Sequence, residues 1–153
     1  RAFLASFIEA AILPYAAPDA RILDFGSGPE PALSLLLSER GFKALAWDPV
    51  FAPERAILRE DFDLIAVHEV AEHLPYPYAT LSRLLRRLKP EGCLALRTRF
   101  APDAADAFAR WWYREDPTHV ALFCPSALRA RPKSLRRPRL RMQWNSSVKC
   151  RKG

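Results

Sequence analysis

Two groups of residues have the types and spacing that chemistry needs. The first is Gly26-Ser27-Gly28, which lies between the apolar run Arg21-Ile-Leu-Asp-Phe25 and a helical stretch. Glycines there let a strand turn tightly and bring backbone close to a ligand. The helix that follows offers N–H groups and the positive end of its dipole. Asp48 ends the next apolar run, twenty residues past Gly28, where a carboxylate can accept hydrogen bonds from both hydroxyls of a ribose. The second group is Glu69, Glu72 and His73, at i, i+3 and i+4. A helical turn would face all three in one direction. With the distant His119 they make two carboxylates and two imidazoles. Such a set suits a divalent cation (Mg, Mn or Zn) with open positions for substrate. The structural alternative is that His73 caps or packs the turn while Glu72 is solvated. His68, beside Glu69, stands where a general base could act, or it packs with a satisfied hydrogen bond.

The elements that must position these residues follow from hydrophobic periodicity. Ala2–Leu13 has apolar residues at helical spacing and stops before Pro14. Strands are expected at Arg21–Phe25, Lys43–Trp47, Phe62–Val67 and Cys93–Thr98. Helices are expected at Pro31–Arg40, closed by Gly41, at Leu81–Leu88, and at Ala104–Tyr113. Pro90-Glu-Gly92 reads as the turn into the last of those strands. A weaker pattern suggests a C-terminal antiparallel hairpin, Leu140–Trp144 with Val148–Cys150, across Asn145–Ser147. Alternating β and α elements imply an α/β domain: a Rossmann-like, mainly parallel sheet with helices on both faces.

With 153 residues, the chain fits one domain with a single core. We read residues 1–18 as an N-terminal helix, 19–128 as a cofactor-binding core and 129–153 as a basic segment. The net charge of +7 is uneven. Residues 129–153 hold ten of the 24 bases and none of the 17 acids, so residues 1–128 carry 14 bases against 17 acids. Such a tail is either a solvated end or a surface for nucleic acid. No apolar run has the length of a membrane span. The opening lacks the form of a signal peptide, although a first residue of Arg1 is what a fragment or processed product would show. Three scattered cysteines, with no CxxC pair, suggest reduced thiols and a cytoplasmic protein.

Nicotinamide dinucleotides and S-adenosylmethionine are the two cofactors that use a glycine turn with an acid on the next strand. Pro31 occupies the third-glycine position of the dinucleotide fingerprint, and a dehydrogenase would also need a substrate domain. Four ordered segments decide between them. Ile22-Leu-Asp-Phe-Gly-Ser-Gly28 resembles the cofactor motif of class I S-adenosylmethionine-dependent methyltransferases. Asp63-Leu-Ile-Ala-Val-His-Glu-Val-Ala-Glu-His-Leu74 resembles their FDxIxxxEVxEHL signature. Leu88-Lys-Pro-Glu-Gly-Cys-Leu94 is similar to the turn before their fifth strand. Pro117 to Leu128 resembles a segment of the ubiquinone-biosynthesis O-methyltransferases.

The resemblance implies a cofactor held by Asp24, Gly26, Ser27, Gly28, Asp48 and Glu69, with the two glycines beneath its methionine part and Asp48 on its ribose. His68, Glu69 and His119 are the catalytic candidates, His68 from its place beside Glu69. A metal at Glu69, Glu72, His73 and His119 is implied too, since the small-RNA 2′-O-methyltransferases hold theirs with a similar ExxEH turn and a downstream His. The chain departs from the pattern in two places. Glu30 replaces a frequent third glycine. Only 14 residues separate Asp48 from Asp63, where the family usually has a helix and a further strand, so that region is shortened and adenine binding is the least supported part. Trp111, Trp112 and Tyr113 could wall a planar acceptor, or pack a helix on the sheet.

The leading expectation is methyl transfer to a small-molecule acceptor, at a hydroxyl. A non-catalytic or truncated methyltransferase-like module is one alternative. A metal-assisted RNA methyltransferase is the other.

Overall fold

The computed structural model describes residues 2–126 and 140–144. Five parallel strands form one sheet: β1 (Arg21–Phe25), β2 (Lys43–Trp47), β3 (Phe62–His68), β4 (Leu88–Thr98) and β5 (Leu140–Trp144). Their spatial order is β2-β1-β3-β4-β5. The helices are α1 (Ala2–Phe7), continued by a π-helical turn at Ile8–Ile12, then α2 (Ala32–Ser38), α3 (Pro77–Leu85) and α4 (Ala105–Ala109). The Rossmann-like expectation is met.

Period-two alternation divides the core between the faces of the sheet. Ile22, Leu64, Ala66, Cys93 and Ala95 pack with Phe7, Ile8, Ile12, Leu33 and Leu37 from the N-terminal helix and α2. Leu23, Phe25, Ile65, Val67, Leu94 and Leu96 face the other way, against Leu81, Leu84 and Leu85 of α3. The strands are apolar on both faces because helices cover both.

Several element boundaries differ from expectation. The third helix begins at Pro77, a residue suited to a first helical turn because its missing N–H would have no partner there. Leu88 belongs to β4 rather than to that helix. Pro90-Glu-Gly92 lies inside β4 as a bulge. Phe62 pairs with Leu88 while Leu64 pairs with Cys93, which leaves extra residues on one side, and Glu91 takes a φ of 69°. Ala104–Tyr113 is not one helix. α4 ends at Ala109, and a 3-10 turn runs over Trp112–Glu115. Leu140–Trp144 is a strand, but it pairs in parallel with β4. The second arm of the expected hairpin lies outside the described residues.

Between β2 and β3 no strand joins the sheet. That segment holds an isolated Asp48–Ala52 bridge and a 3-10 turn at Ile57–Arg59. The shortened region is therefore real, and β2 is the sheet edge. Among the described residues no helix is long and apolar enough to cross a membrane.

Candidate active site

Strand order reverses between β1 and β3, and ligands of open α/β sheets bind at the carboxyl ends of the strands beside such a reversal. A cleft of about 750 Å³ opens there and runs along the α3 side of the sheet. Gly26, Asp48 and Glu69, from the carboxyl ends of β1, β2 and β3, line it together with His73. Phe25 and Trp47 form an apolar wall, stacked at 4.8 Å.

The glycine turn is held from both sides. Gly26 has φ 80°, and a Cβ on it would meet the Val70 side chain at 2.6 Å. Gly28 has φ 67° with open space above it. Asp48 is the clasp. Its Oδ2 accepts the Gly28 N–H at 3.0 Å, and its Oδ1 accepts those of Val50 and Phe51 at 2.9 and 3.1 Å. Burial pushes its carboxyl upward, but the three backbone donors outweigh this and hold it below the ordinary value. Asp24 points to the α2 side and accepts the Ser34 N–H at 3.2 Å, so one N–H of the helix start is already satisfied. Burial, reinforced by the nearby charge of Asp48, raises the Asp24 carboxyl to about 6 against the opposing Ser34 bond.

Glu69 has φ 53°, an uncommon conformation for a residue with a side chain. Its N–H donates to the Arg97 carbonyl at 2.9 Å. Its carboxylate lies 3.7 Å from both the Arg97 and Arg99 guanidinium groups. Burial, then the charge of Glu72, raises its carboxyl against the opposing arginines and His119.

Three of the four expected metal ligands come together. Ligand atoms of Glu72, His73 and His119 all lie within 4.8 Å of one another, while Glu69 is outside that group and turned toward the arginines. The ring Nδ1 of His73 lies 3.1 Å from the Thr118 carbonyl, and that of His119 lies 2.6 Å from the Tyr113 carbonyl. A carbonyl only accepts, so each neutral ring carries its proton on Nδ1 and presents a lone pair on Nε2. Glu72 is 1% exposed. Its oxygens accept the hydroxyl of Thr98 at 2.9 Å and that of Tyr113. Burial and Glu72 push the Tyr113 phenol well above its usual range.

His68 is elsewhere. Its ring packs edge-on against Phe3 and Phe7, on the opposite face of the sheet from the cleft. Burial, then the charge of Arg97, lowers it to about 4. The structure thus separates His68 from Glu69 and His119. The aromatic trio also divides: Tyr113 is buried against Glu72, whereas Trp112 is exposed under the Arg99 guanidinium. Thr98, Arg97 and Arg99 surround the site although sequence reasoning gave none of them a role there, and Tyr113, expected as a wall for a planar acceptor or as packing, donates to Glu72 instead. A hydroxyl on each side of a glutamate 26 and 41 residues away leaves no local spacing signal.

A model of the methyltransferase domain family matches residues 1–133. The chain belongs to this family. It is a class I S-adenosylmethionine-dependent methyltransferase. No curated protein matches at the level of sequence. Among solved structures it is similar to a "putative methyltransferase" from Bacillus halodurans C-125, with TM-score 0.67 and 20% identity over 88% of this chain and 68% of that one. It is also similar to the YcgJ protein from Bacillus subtilis, with TM-score 0.52 and 20% identity over 83% of this chain and 64% of that one. At that identity both likenesses concern the fold.

The residues present fit a large polar cofactor. Ser27 Oγ, Trp47 Nε1 and Glu69 Oε1 are buried without hydrogen-bond partners among the described residues. Buried polar atoms are normally paired. These atoms, on the glycine turn and the cleft wall, are free to pair with a polar ligand. The space above Gly28 leaves it room.

Proposed function

We propose that this chain methylates a hydroxyl of a small-molecule acceptor, with the Glu72–His73–His119 cluster as the group that receives that hydroxyl. The observation that carries the reading is the pair of imidazoles, whose ring centroids lie 4.8 Å apart with both Nδ1 atoms committed to backbone carbonyls. His73 lines the same cleft as Gly26 and Asp48.

In this reading Asp24, Gly26, Ser27, Gly28, Asp48 and Glu69 hold S-adenosylmethionine. When bound, that cofactor supplies an electrophilic methyl on a sulfonium. Asp48 uses three of roughly four lone-pair positions on backbone donors, so it holds the loop in shape and keeps one position for a ribose hydroxyl. Asp48 places negative charge in the cleft for a cationic donor, and Glu69, flanked by Arg97 and Arg99, offers an Oε1 that has no hydrogen-bond partner among the described residues. Methyl transfer asks mainly for positioning, which a closed cleft supplies. The proton of the acceptor hydroxyl goes to an imidazole Nε2, and Glu72 steadies the resulting imidazolium. His68 has no part in this scheme, because its neutral ring is packed between phenylalanines across the sheet.

The same three side chains suit a divalent cation. Two imidazoles and a carboxylate with open positions are a common donor set for zinc or manganese. When bound, the ion would lower the pKa of the acceptor hydroxyl. Methyl transfer from labelled S-adenosylmethionine to a panel of phenols, catechols and quinols tests the proposal. Transfer that falls at least about a hundredfold in His73→Ala and His119→Ala supports it. Transfer indifferent to both rejects the cluster. Loss of activity on chelation, restored by Zn or Mn, selects the metal form. A methylated RNA product with no small-molecule product would favour the RNA alternative.

A further inference from the structure

Charge separates along the cleft. Asp48 and Glu69 follow the carboxyl ends of their strands, whereas Arg59, Arg83, Arg86 and Arg87 line the same cleft beside the start of β3 and the end of α3. In a parallel sheet these are opposite edges. The Arg86 N–H donates to the Arg83 carbonyl and the Arg87 N–H to the Leu84 carbonyl, so the three arginines occupy i, i+3 and i+4 of one helical turn and share a surface. Arg87 is already engaged, 3.6 Å from Asp61 and donating to the Arg59 carbonyl at 3.0 Å. The side chains of Arg59, Arg83 and Arg86 have no hydrogen-bond or ion-pair partner among the described residues.

The cofactor does not account for this end. S-adenosylmethionine carries one anion, a carboxylate beside its own ammonium, and its adenine end is uncharged. With its cationic part at Asp48 and Glu69, as in the proposed function, the arginine end keeps an unmatched positive charge, carried by the exposed side chains of Arg59, Arg83 and Arg86 along the cleft. We infer that this end binds a small phosphate-bearing molecule. Three guanidinium forks without an ion-pair partner among the described residues suit a dianion with several acceptor oxygens better than a single carboxylate. The position of the cofactor rests on the proposed function; the arginine cluster does not.

Isothermal titration of the full chain with inorganic pyrophosphate tests this, with succinate and a short single-stranded RNA as comparisons. S-adenosylhomocysteine is titrated in the same samples. The expected result is saturable one-to-one pyrophosphate binding that weakens about tenfold or more in R83A/R86A and is partly kept in R83K/R86K, with succinate far weaker. S-adenosylhomocysteine binding should persist in both variants, which also shows that they are folded. Three results would overturn the inference: no saturable pyrophosphate binding, pyrophosphate binding unchanged in R83A/R86A (which would assign it to the basic residues 129–153), or binding of RNA alone. If pyrophosphate behaves as expected and S-adenosylhomocysteine does not bind, the cofactor placement fails and the anion site stands.

Discussion

His68 and Glu69, adjacent in sequence, leave the sheet on opposite faces: the imidazole meets Phe3 and Phe7, and the carboxylate meets the cleft. Strand geometry sends successive side chains to opposite sides, and the positive φ of Glu69 ends the strand at that point. One consequence is a pH dependence of stability. The folded pKa of His68, about 4, lies below its ordinary 6.5. Between those values the unfolded chain binds more protons, so this histidine's contribution is present above about pH 6.5 and is lost as pH falls toward 4. At pH 5 the loss is about 2 kcal/mol. His68→Phe should shrink the difference between urea midpoints at pH 7 and pH 5, and should leave methyl transfer intact. A large loss of kcat in that variant, with the fold retained, would restore His68 as a base.

Asp24 pulls in the other direction. Its folded pKa, about 6, lies above the ordinary 3.8. The folded state holds the extra proton between those values, so stability attributable to this group falls as pH rises from about 4 to 6. An asparagine keeps an oxygen for the Ser34 N–H and removes the buried charge. Asp24→Asn should therefore raise stability at pH 7 by about 1–3 kcal/mol and weaken S-adenosylhomocysteine binding. Equal stability at pH 7 and pH 4 relative to the parent would refute the assignment.

Tyr113 and Thr98 supply the two hydroxyl donors of buried Glu72. Tyr113→Phe leaves that carboxylate with one side-chain donor and should cost about 1–3 kcal/mol, read as a lower denaturant midpoint at unchanged slope. Tyr113 also lends its carbonyl to His119, and the backbone bond survives the substitution. Activity should fall less than in His119→Ala.

Much of the fold is legible because it rests on periodicity. β1 and β2 have the expected bounds, and the apolar strands of β3 and β4 announce a sheet covered on both sides. Where two structures share one pattern, the sequence is silent. Pro90-Glu-Gly92 has turn composition, yet neighbouring β3 keeps it in the strand as a bulge. At the site, the glycine turn and Asp48 are local in sequence and were visible. The ExxEH spacing singled out Glu72 and His73, whose ligand atoms lie beside those of His119. It could not show that Glu69, at the left-handed strand end, turns to Arg97 and Arg99 instead. Those arginines, like Tyr113 and Thr98, are brought in by tertiary packing.

Asp48→Ala removes the acceptor of three backbone N–H groups. The glycine turn should loosen, with a stability loss of about 2–4 kcal/mol and a larger loss of cofactor affinity. Thermal melts with and without S-adenosylhomocysteine separate the two, since only a chain that binds gains stability from the ligand.

The most direct measurement is calorimetric titration of the folded chain with S-adenosylhomocysteine. The account predicts saturable one-to-one binding, weakened at least about tenfold in Glu69→Ala. Absence of binding from a chain that melts cooperatively would contradict the cleft as a cofactor site and leave a methyltransferase fold that does not hold the methyl donor.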